Sequence, residues 1–281
     1  MGRQVLGQLC RLLLALLLPM CGADRSSADS GTDTAGALSS DAGIDTAMDG
    51  GTNDDAATDS EDAFAPCPKS GDPCKILPLG DSITDGFSIP GGYRIELFLS
   101  AYNDGRNITF VGRMSNGPET VGDGIAFPQS HEGHSGWEIG QTAALLPSPG
   151  LDVEPHIVLL MIGTNDILHD LSDGAPDRFA ELLDTIIDNA PNALTAVALI
   201  PPISGTYASY ADAVEPYNSA LAEIVGARQA AGDHVISVDQ FSDFPPSESA
   251  DGVHPNEAGY ARMASVWYDA ISDYLPAAPE R

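Results

Sequence analysis

The sequence predicts an α/β domain in which a parallel sheet is covered by helices on both of its faces. Continuous apolar runs, typical of strands that are buried on both faces, recur from residue 75 onwards. Between these runs lie segments with apolar residues at helical spacing, the clearest of which is 177–190. Strand and helix therefore alternate along the chain, which is the order expected for a parallel sheet flanked by helices.

Each predicted element follows from its local pattern. The apolar runs predict strands at 75–80, 107–113, 156–163, 194–200 and 234–241. The helical spacing predicts helices at 93–104, 138–146, 177–190, 215–232 and 255–275. A glycine-rich loop is expected between the second strand and the second helix, and the chain shows no internal repeat.

The N-terminal residues 1–23 resemble an export signal. Arg3 and Arg11 give a basic start, and "LLLALLLPM" is an apolar core that is too short to span a bilayer as a mature helix. No other segment approaches the roughly 18 consecutive apolar residues of a membrane-spanning helix. We therefore expect an exported protein without a transmembrane helix.

Residues 24–66 are dominated by Asp, Ser, Thr, Ala and Gly and show no hydrophobic period. Such a segment cannot bury enough apolar surface to offset its ordering entropy, so it is predicted to be a disordered acidic linker. The folded domain is then 67–281. The net charge of −29 disfavours nucleic acid as a partner, because there is no basic patch to contact phosphates.

The cysteines fall into two groups. Cys67 and Cys74 lie close together in "CPKSGDPC", so a disulfide is expected in an exported protein, and the spacing does not favour a metal site. Cys21 directly follows the apolar core, which resembles a bacterial lipoprotein signal whose cysteine becomes lipidated. Met20 departs from the small residue usual before that cysteine, and ordinary cleavage after Ala23 is the alternative.

Four short polar motifs follow predicted strands or precede a predicted helix. They are "GDSITDG" at 80–86, "HEGHSGW" at 131–137, "GTND" at 163–166 and "DGVHPN" at 251–256. Because ligands bind beyond the carboxyl ends of strands in open α/β sheets, these motifs are candidates for one site. Nucleophilic hydrolysis needs a hydroxyl, a base, a group that orients the base and donors for the oxyanion, and the motifs contain a candidate for each.

Each candidate also has a plainer interpretation. Ser82 could cap a helix, and Asp251 could cap the last helix. His131 and His134 could bind a metal, but without a clear third ligand they are expected to shape the loop around Gly133.

The four motifs together resemble the four blocks of the SGNH hydrolases, also called the GDSL esterase/lipase superfamily. The resemblance runs from about residue 76 to the last helix, and "GHSGW" with "LLMIGTND" resembles the acetylxylan-esterase-like carbohydrate esterase family three. It implies a flavodoxin-like three-layer αβα sandwich with a central parallel sheet. It also implies a serine esterase that needs no cofactor and no metal.

The resemblance assigns a role to each matching residue. Ser82 is implied as the nucleophile, His254 as the base and Asp251 as the group that orients it. The N–H groups of Ser82 and Gly133 and the side-chain amide of Asn165 are implied as the oxyanion hole.

The expected substrate is an O-acetyl ester on xylan-type polysaccharide or oligosaccharide. A lipase, thioesterase or lysophospholipase of the same superfamily remains an alternative, as does a non-catalytic surface carbohydrate-binding protein. The chain is expected to be a monomer whose partners are an acylated carbohydrate and, only through an N-terminal lipid, a membrane.

Overall fold

The structure is a computed structural model that describes residues 64–276. The predicted export signal, Cys21 and all but the last three residues of the predicted linker lie outside the described residues. The strands are β1 (Cys74–Gly80), β2 (Ile108–Phe110), β3 (Met114–Ser115), β4 (Thr120–Val121), β5 (Ile125–Ala126), β6 (Ser130–Gly133), β7 (Ile157–Met161), β8 (Leu194–Leu199) and β9 (Val235–Asp239). The helices are α1 (Ser82–Asp85), α2 (Tyr93–Asn103), α3 (Ile139–Ala143), α4 (Thr164–Leu168), α5 (Ala175–Asn189), α6 (Val214–Ala231) and α7 (Glu257–Ile271).

The main sheet is mostly parallel, which confirms the predicted α/β fold. Its strand order is β3-β6-β1-β7-β8-β9, and β2 pairs with the first part of β1 while β6 pairs with its end. The expectation of a parallel sheet is wrong at one edge, where β3 runs antiparallel to β6. The chain between these two strands forms the small β4–β5 hairpin and no crossover helix, so it returns antiparallel.

The sequence prediction also missed the short strands β3 to β6 and the short helices α1 and α4. Residues 130–133, expected within a loop, form β6, while α1 and α4 follow directly after β1 and β7. A strand of four residues gives too short a hydrophobic pattern to be recognised, and helices of four and five residues span hardly more than one turn. The remaining predicted strands and helices are present with boundaries shifted by a few residues.

The core lies on both faces of the sheet. All of β7 is buried, as its continuous apolar run predicts. On α5 the expected apolar stripe is buried at Phe179, Leu182, Leu183 and Ile186. Helices α2 and α7 pack against each other, and α5 packs against α3 and α6. No helix within residues 64–276 is long and apolar enough to cross a membrane.

The domain begins earlier than predicted. Phe64, placed in the linker by the sequence prediction, stacks on His234 with ring centroids 3.5 Å apart. An aromatic ring that packs against the domain buries apolar surface, so Phe64 belongs to the packed domain although the sequence prediction placed it in the linker. Cys67 and Cys74 form the expected disulfide at the start of β1.

Candidate active site

Ser82 lies at the carboxyl end of β1, where it is the first residue of α1. The cap of this helix is Asp81, whose carboxylate Oδ1 accepts the N–H of Ile83 at 2.9 Å. Ser82 therefore does not cap the helix, and its hydroxyl is available for other contacts. As the first helical residue, Ser82 also has a backbone N–H without an intrahelical acceptor.

The hydroxyl of Ser82 is in contact with a histidine and, through it, with a carboxylate. Ser82 Oγ lies 2.9 Å from Nε2 of His254, and Nδ1 of the same ring lies 2.8 Å from Oδ2 of Asp251. Asp251 and His254 lie in the loop before the last helix. The fold therefore brings together Ser82 and His254, which are 172 positions apart in the sequence. The arrangement can withdraw a proton from the hydroxyl and hold the resulting imidazolium beside a negative charge.

Asp251 acts within its own loop and does not cap the last helix. Its Oδ1 accepts the N–H groups of Val253 and His254, while the cap of α7 is Asn256. Partial burial raises the pKa of Asp251, but the hydrogen bonds from His254 and from the backbone outweigh that effect and lower it below its usual range. The carboxylate is therefore ionised beside the imidazole.

Asn165 is the second residue of α4 and lies at the same edge of the sheet. Strands β1 and β7 are paired up to Gly80 and Met161, so the residues that follow both strands emerge side by side. The Nδ2 atom of Asn165 donates to the carbonyl of Trp137 at 2.8 Å. An amide carries two N–H donors, so one remains for a ligand while the other fixes the side chain.

Asp166, the next residue, is a buried carboxylate that fixes α4 in place. Its Oδ2 accepts the N–H of Ile139 at the start of α3, and its Oδ1 accepts from Arg178 of α5 at 2.9 Å. These contacts join three helices directly behind Asn165. The sequence prediction did not assign a role to Asp166, although it belongs to the same motif.

Gly133 ends β6 and packs directly against α1. It pairs with Gly80, and a Cβ at this position would stand 2.4 Å from the nitrogen of Asp85 and 2.7 Å from the carbonyl carbon of Thr84. Only glycine permits so close an approach. Its N–H already donates to Nδ1 of His131 at 3.1 Å, so this predicted oxyanion donor has an acceptor within the protein.

His131 is a buried, neutral side chain that shapes this strand. Burial and the nearby Arg94 lower the pKa of His131 to about 4, which agrees with its Nδ1 accepting a hydrogen bond. Its Nε2 lies 3.8 Å from Oδ1 of Asp85. Within residues 64–276, no group of three His, Cys, Asp or Glu side chains is placed to hold a metal ion.

Glu132 is a fully buried carboxylate that the sequence prediction missed. Its Oε1 lies 2.7 Å from Nε2 of His134 and 3.0 Å from Nη2 of Arg113. Burial opposes its ionisation, but the contacts with His134 and Arg113 outweigh burial and lower the pKa of Glu132 to about 2. His134 in turn stacks on Trp137, with ring centroids 3.8 Å apart, and the carbonyl of Trp137 holds Asn165.

The signal for Glu132 in the sequence is its place between two histidines in "HEGH". In a strand, neighbouring side chains point to opposite faces, so Glu132 and His131 lie on opposite faces of β6. That signal could be interpreted only once β6 was known to be a strand.

Asp81 is the least compensated acid at the site. Burial raises its pKa from 3.8 to about 6, although the N–H of Ile83 and the charge of His254 both lower it. The side chain of Thr164 lowers it as well, but Oδ2 of Asp81 has no partner at hydrogen-bond distance and angle among the described residues. An ionised carboxylate in this position therefore weakens the fold.

A sheet of this type, with a serine after its central strand and a Ser–His–Asp chain of contacts, defines a hydrolase of the SGNH class. Residues 79–262 match the model of the GDSL-like lipase/acylhydrolase family, and the chain belongs to that family.

Its relatives include carbohydrate esterases. A multidomain esterase of Ruminococcus flavefaciens is 34% identical over 224 residues, which cover 72% of this chain and 29% of that protein, so the chain spans less than a third of this relative. A family 3 carbohydrate esterase of Clostridium thermocellum is 33% identical with a TM-score of 0.61, covering 71% of this chain and 96% of that one. A carbohydrate esterase of family 3 from Talaromyces cellulolyticus is 28% identical with a TM-score of 0.60, covering 71% and 97%.

Replacing Asp81 by Asn should change how stability depends on pH. Because the folded pKa is raised from 3.8 to about 6, the parent loses stability as the pH rises through this window, whereas the amide of the variant cannot ionise. The difference in unfolding free energy between Asp81→Asn and the parent should shift in favour of the variant by about 2 kcal/mol between pH 4.5 and pH 8. Urea unfolding at both pH values measures it, and a constant difference would contradict the raised pKa.

Proposed function

We propose that the chain is an exported serine esterase that hydrolyses O-acetyl esters on xylan-type polysaccharide or oligosaccharide. The observation that carries the proposal is the contact of Ser82 Oγ with Nε2 of His254, which is itself held by Asp251. The substrate class is supported by the names of relatives: two solved structures of family 3 carbohydrate esterases, and an acetyl esterase, 27% identical, solved with an acetate ion.

The reaction would proceed through an acyl-enzyme. Oγ of Ser82 attacks the acetyl carbonyl while Nε2 of His254 takes its proton, and Asp251 stabilises the imidazolium. When the tetrahedral intermediate collapses, the ester C–O bond breaks and the imidazolium gives the proton to the departing alcohol oxygen. A water molecule, deprotonated by His254, then attacks the acyl-enzyme, which releases acetate and restores the hydroxyl of Ser82.

Hydrogen-bond donors at the carboxyl ends of the strands would stabilise the negative oxygen of the tetrahedral intermediate. The N–H of Ser82, which has no intrahelical acceptor, and the second N–H of Asn165 are proposed as its first partners. The N–H of Gly133 would have to leave Nδ1 of His131 to join them. A charged oxygen is a stronger acceptor than a neutral imidazole nitrogen, so this exchange is favoured as the charge develops.

Ser82→Ala should remove the proposed activity, because the acyl-enzyme forms on the hydroxyl that this change deletes. We expect a loss in kcat on the order of 10⁴ or more for acetate release from acetylated xylan and for hydrolysis of 4-nitrophenyl acetate. Ser219→Ala, at an exposed position on α6, is the matched control and should behave like the parent. Activity of the Ser82 variant within tenfold of the parent would refute the mechanism.

Asn165→Ala should lower kcat by about 10² to 10³ with little change in KM, because its donor acts mainly when the oxygen becomes negative. Asn165→Asp should lose at least as much, since a carboxylate repels the oxyanion. The side chain also holds the carbonyl of Trp137, so Tm is measured in parallel. A variant that melts like the parent and keeps most of its kcat would exclude Asn165 from the oxyanion hole.

We further propose that Cys21 carries the lipid of a bacterial lipoprotein, a proposal that rests on its place directly after the apolar core. The native protein should then partition into detergent with the membrane fraction, and Cys21→Ser should release it. Mass spectrometry of the mature chain gives the decisive measurement. A lipid-free mature chain that begins at Asp24 would instead support ordinary secretion.

A further inference from the structure

We propose that Phe87 is the platform for the alcohol part of the ester, the sugar ring that carries the acyl group, and that it selects cyclic alcohols over small acyclic ones. This specificity role rests on the proposed esterase function. It concerns a residue outside the four motifs that predicted the site.

The ring of Phe87 lies beside the histidine that contacts the serine. Its side chain is 47% exposed, and its centroid is 4.4 Å from that of His254. Among the described residues it is the one aromatic ring that packs on His254. The exposed part of this ring is open to a ligand that reaches the histidine.

The backbone fixes this ring relative to the nucleophile. The N–H of Phe87 donates to the carbonyl oxygen of Ser82 at 2.9 Å, and the same oxygen accepts the N–H of Gly86 at 3.0 Å. Gly86 has a φ of 86°, and a Cβ there would stand 2.7 Å from the carbonyl oxygen of Ile89. The turn is therefore tightly built, and it fixes the backbone of Phe87 directly beside the nucleophile.

The chemistry decides which part of the ester meets Phe87. Nε2 of His254 must take the proton of Ser82 and return it to the departing oxygen, so that oxygen comes within about 3 Å of the same nitrogen. The alcohol is consequently on the side of the imidazole, where Phe87 lies. The carbonyl oxygen must instead point to the donors of Ser82 and Asn165.

A sugar ring fits this surface better than a small alcohol does. The C–H groups of a pyranose form an apolar face that can cover an aromatic ring, while its hydroxyl groups stay in water. Burying that face removes apolar area of both partners from water. A two-carbon alcohol bears the same departing oxygen but covers far less of the ring. Phe87 should therefore accelerate the hydrolysis of sugar esters more than that of ethyl esters.

The test compares two acetate esters that differ only in the alcohol. For Phe87→Ala we expect kcat/KM to fall about tenfold on acetylated xylo-oligosaccharide, which corresponds to about 1.4 kcal/mol, and to stay within about twofold on ethyl acetate. Phe87→Tyr keeps the aromatic face and should restore sugar-ester hydrolysis. Met114→Ala, at an exposed apolar position on β3, is the control and should match the parent on both esters.

Three results would overturn the platform. An equal loss on both esters would show that Phe87 only supports His254, and no loss on either would show that it does not contact the alcohol. A changed preference between acetyl and butyryl esters of one sugar would place the ring on the acyl side and overturn it as well.

A binding measurement separates this proposal from the proposed activity. In the Ser82→Ala background, xylo-oligosaccharide binding is measured by calorimetry with and without Phe87→Ala. Weaker binding on loss of the ring supports the platform even if the parent cleaves no ester, in which case the proposed activity alone fails. Unchanged binding in a parent that does cleave the ester overturns the platform alone.

Discussion

The close approach of backbone segments at the end of β1 is the constraint on which the whole site depends. A Cβ at Gly80 would stand 2.1 Å from the carbonyl oxygen of Met161 in β7, and one at Gly133 would stand 2.4 Å from the nitrogen of Asp85 in α1. Two glycines therefore let β6, β1 and β7 close around the turn that begins with Ser82. The residues that follow these strands can contact one another only because the backbones of the strands and of α1 approach so closely.

Three buried carboxylates lie around this turn, and they differ in how far their negative charge is compensated by hydrogen-bond donors and cations. Glu132 is paired with His134 and Arg113, and Asp166 with a backbone N–H and Arg178, so both charges are compensated. Asp81 has one accepted N–H and an Oδ2 without a partner among the described residues. The fold thus tolerates a poorly compensated carboxylate directly beside Ser82.

The regular elements could be predicted because each carries a long enough pattern. The continuous apolar run of β7 and the helical spacing of apolar residues from Phe179 to Ile186 on α5 were enough to identify both elements. Strand β6 could not be found in this way, since its four residues are polar or small and it is a strand only through pairing with β1 and β3. The place of Phe64 in the domain was missed for the same reason, because its partner His234 is distant in the chain.

The sequence by itself determined the α/β class, the disulfide and the motifs that meet at the carboxyl edge, because these depend on composition, period and short spacing. It left open whether Ser82 and Asp251 cap helices, and the structure assigns those caps to Asp81 and Asn256 instead. Only the tertiary structure could show that the N–H of Gly133 is bonded to His131, that Glu132 supports the loop of Trp137, and that Phe87 covers His254. Such contacts join side chains whose relative positions are set by strand pairing and helix packing, and no local pattern records them.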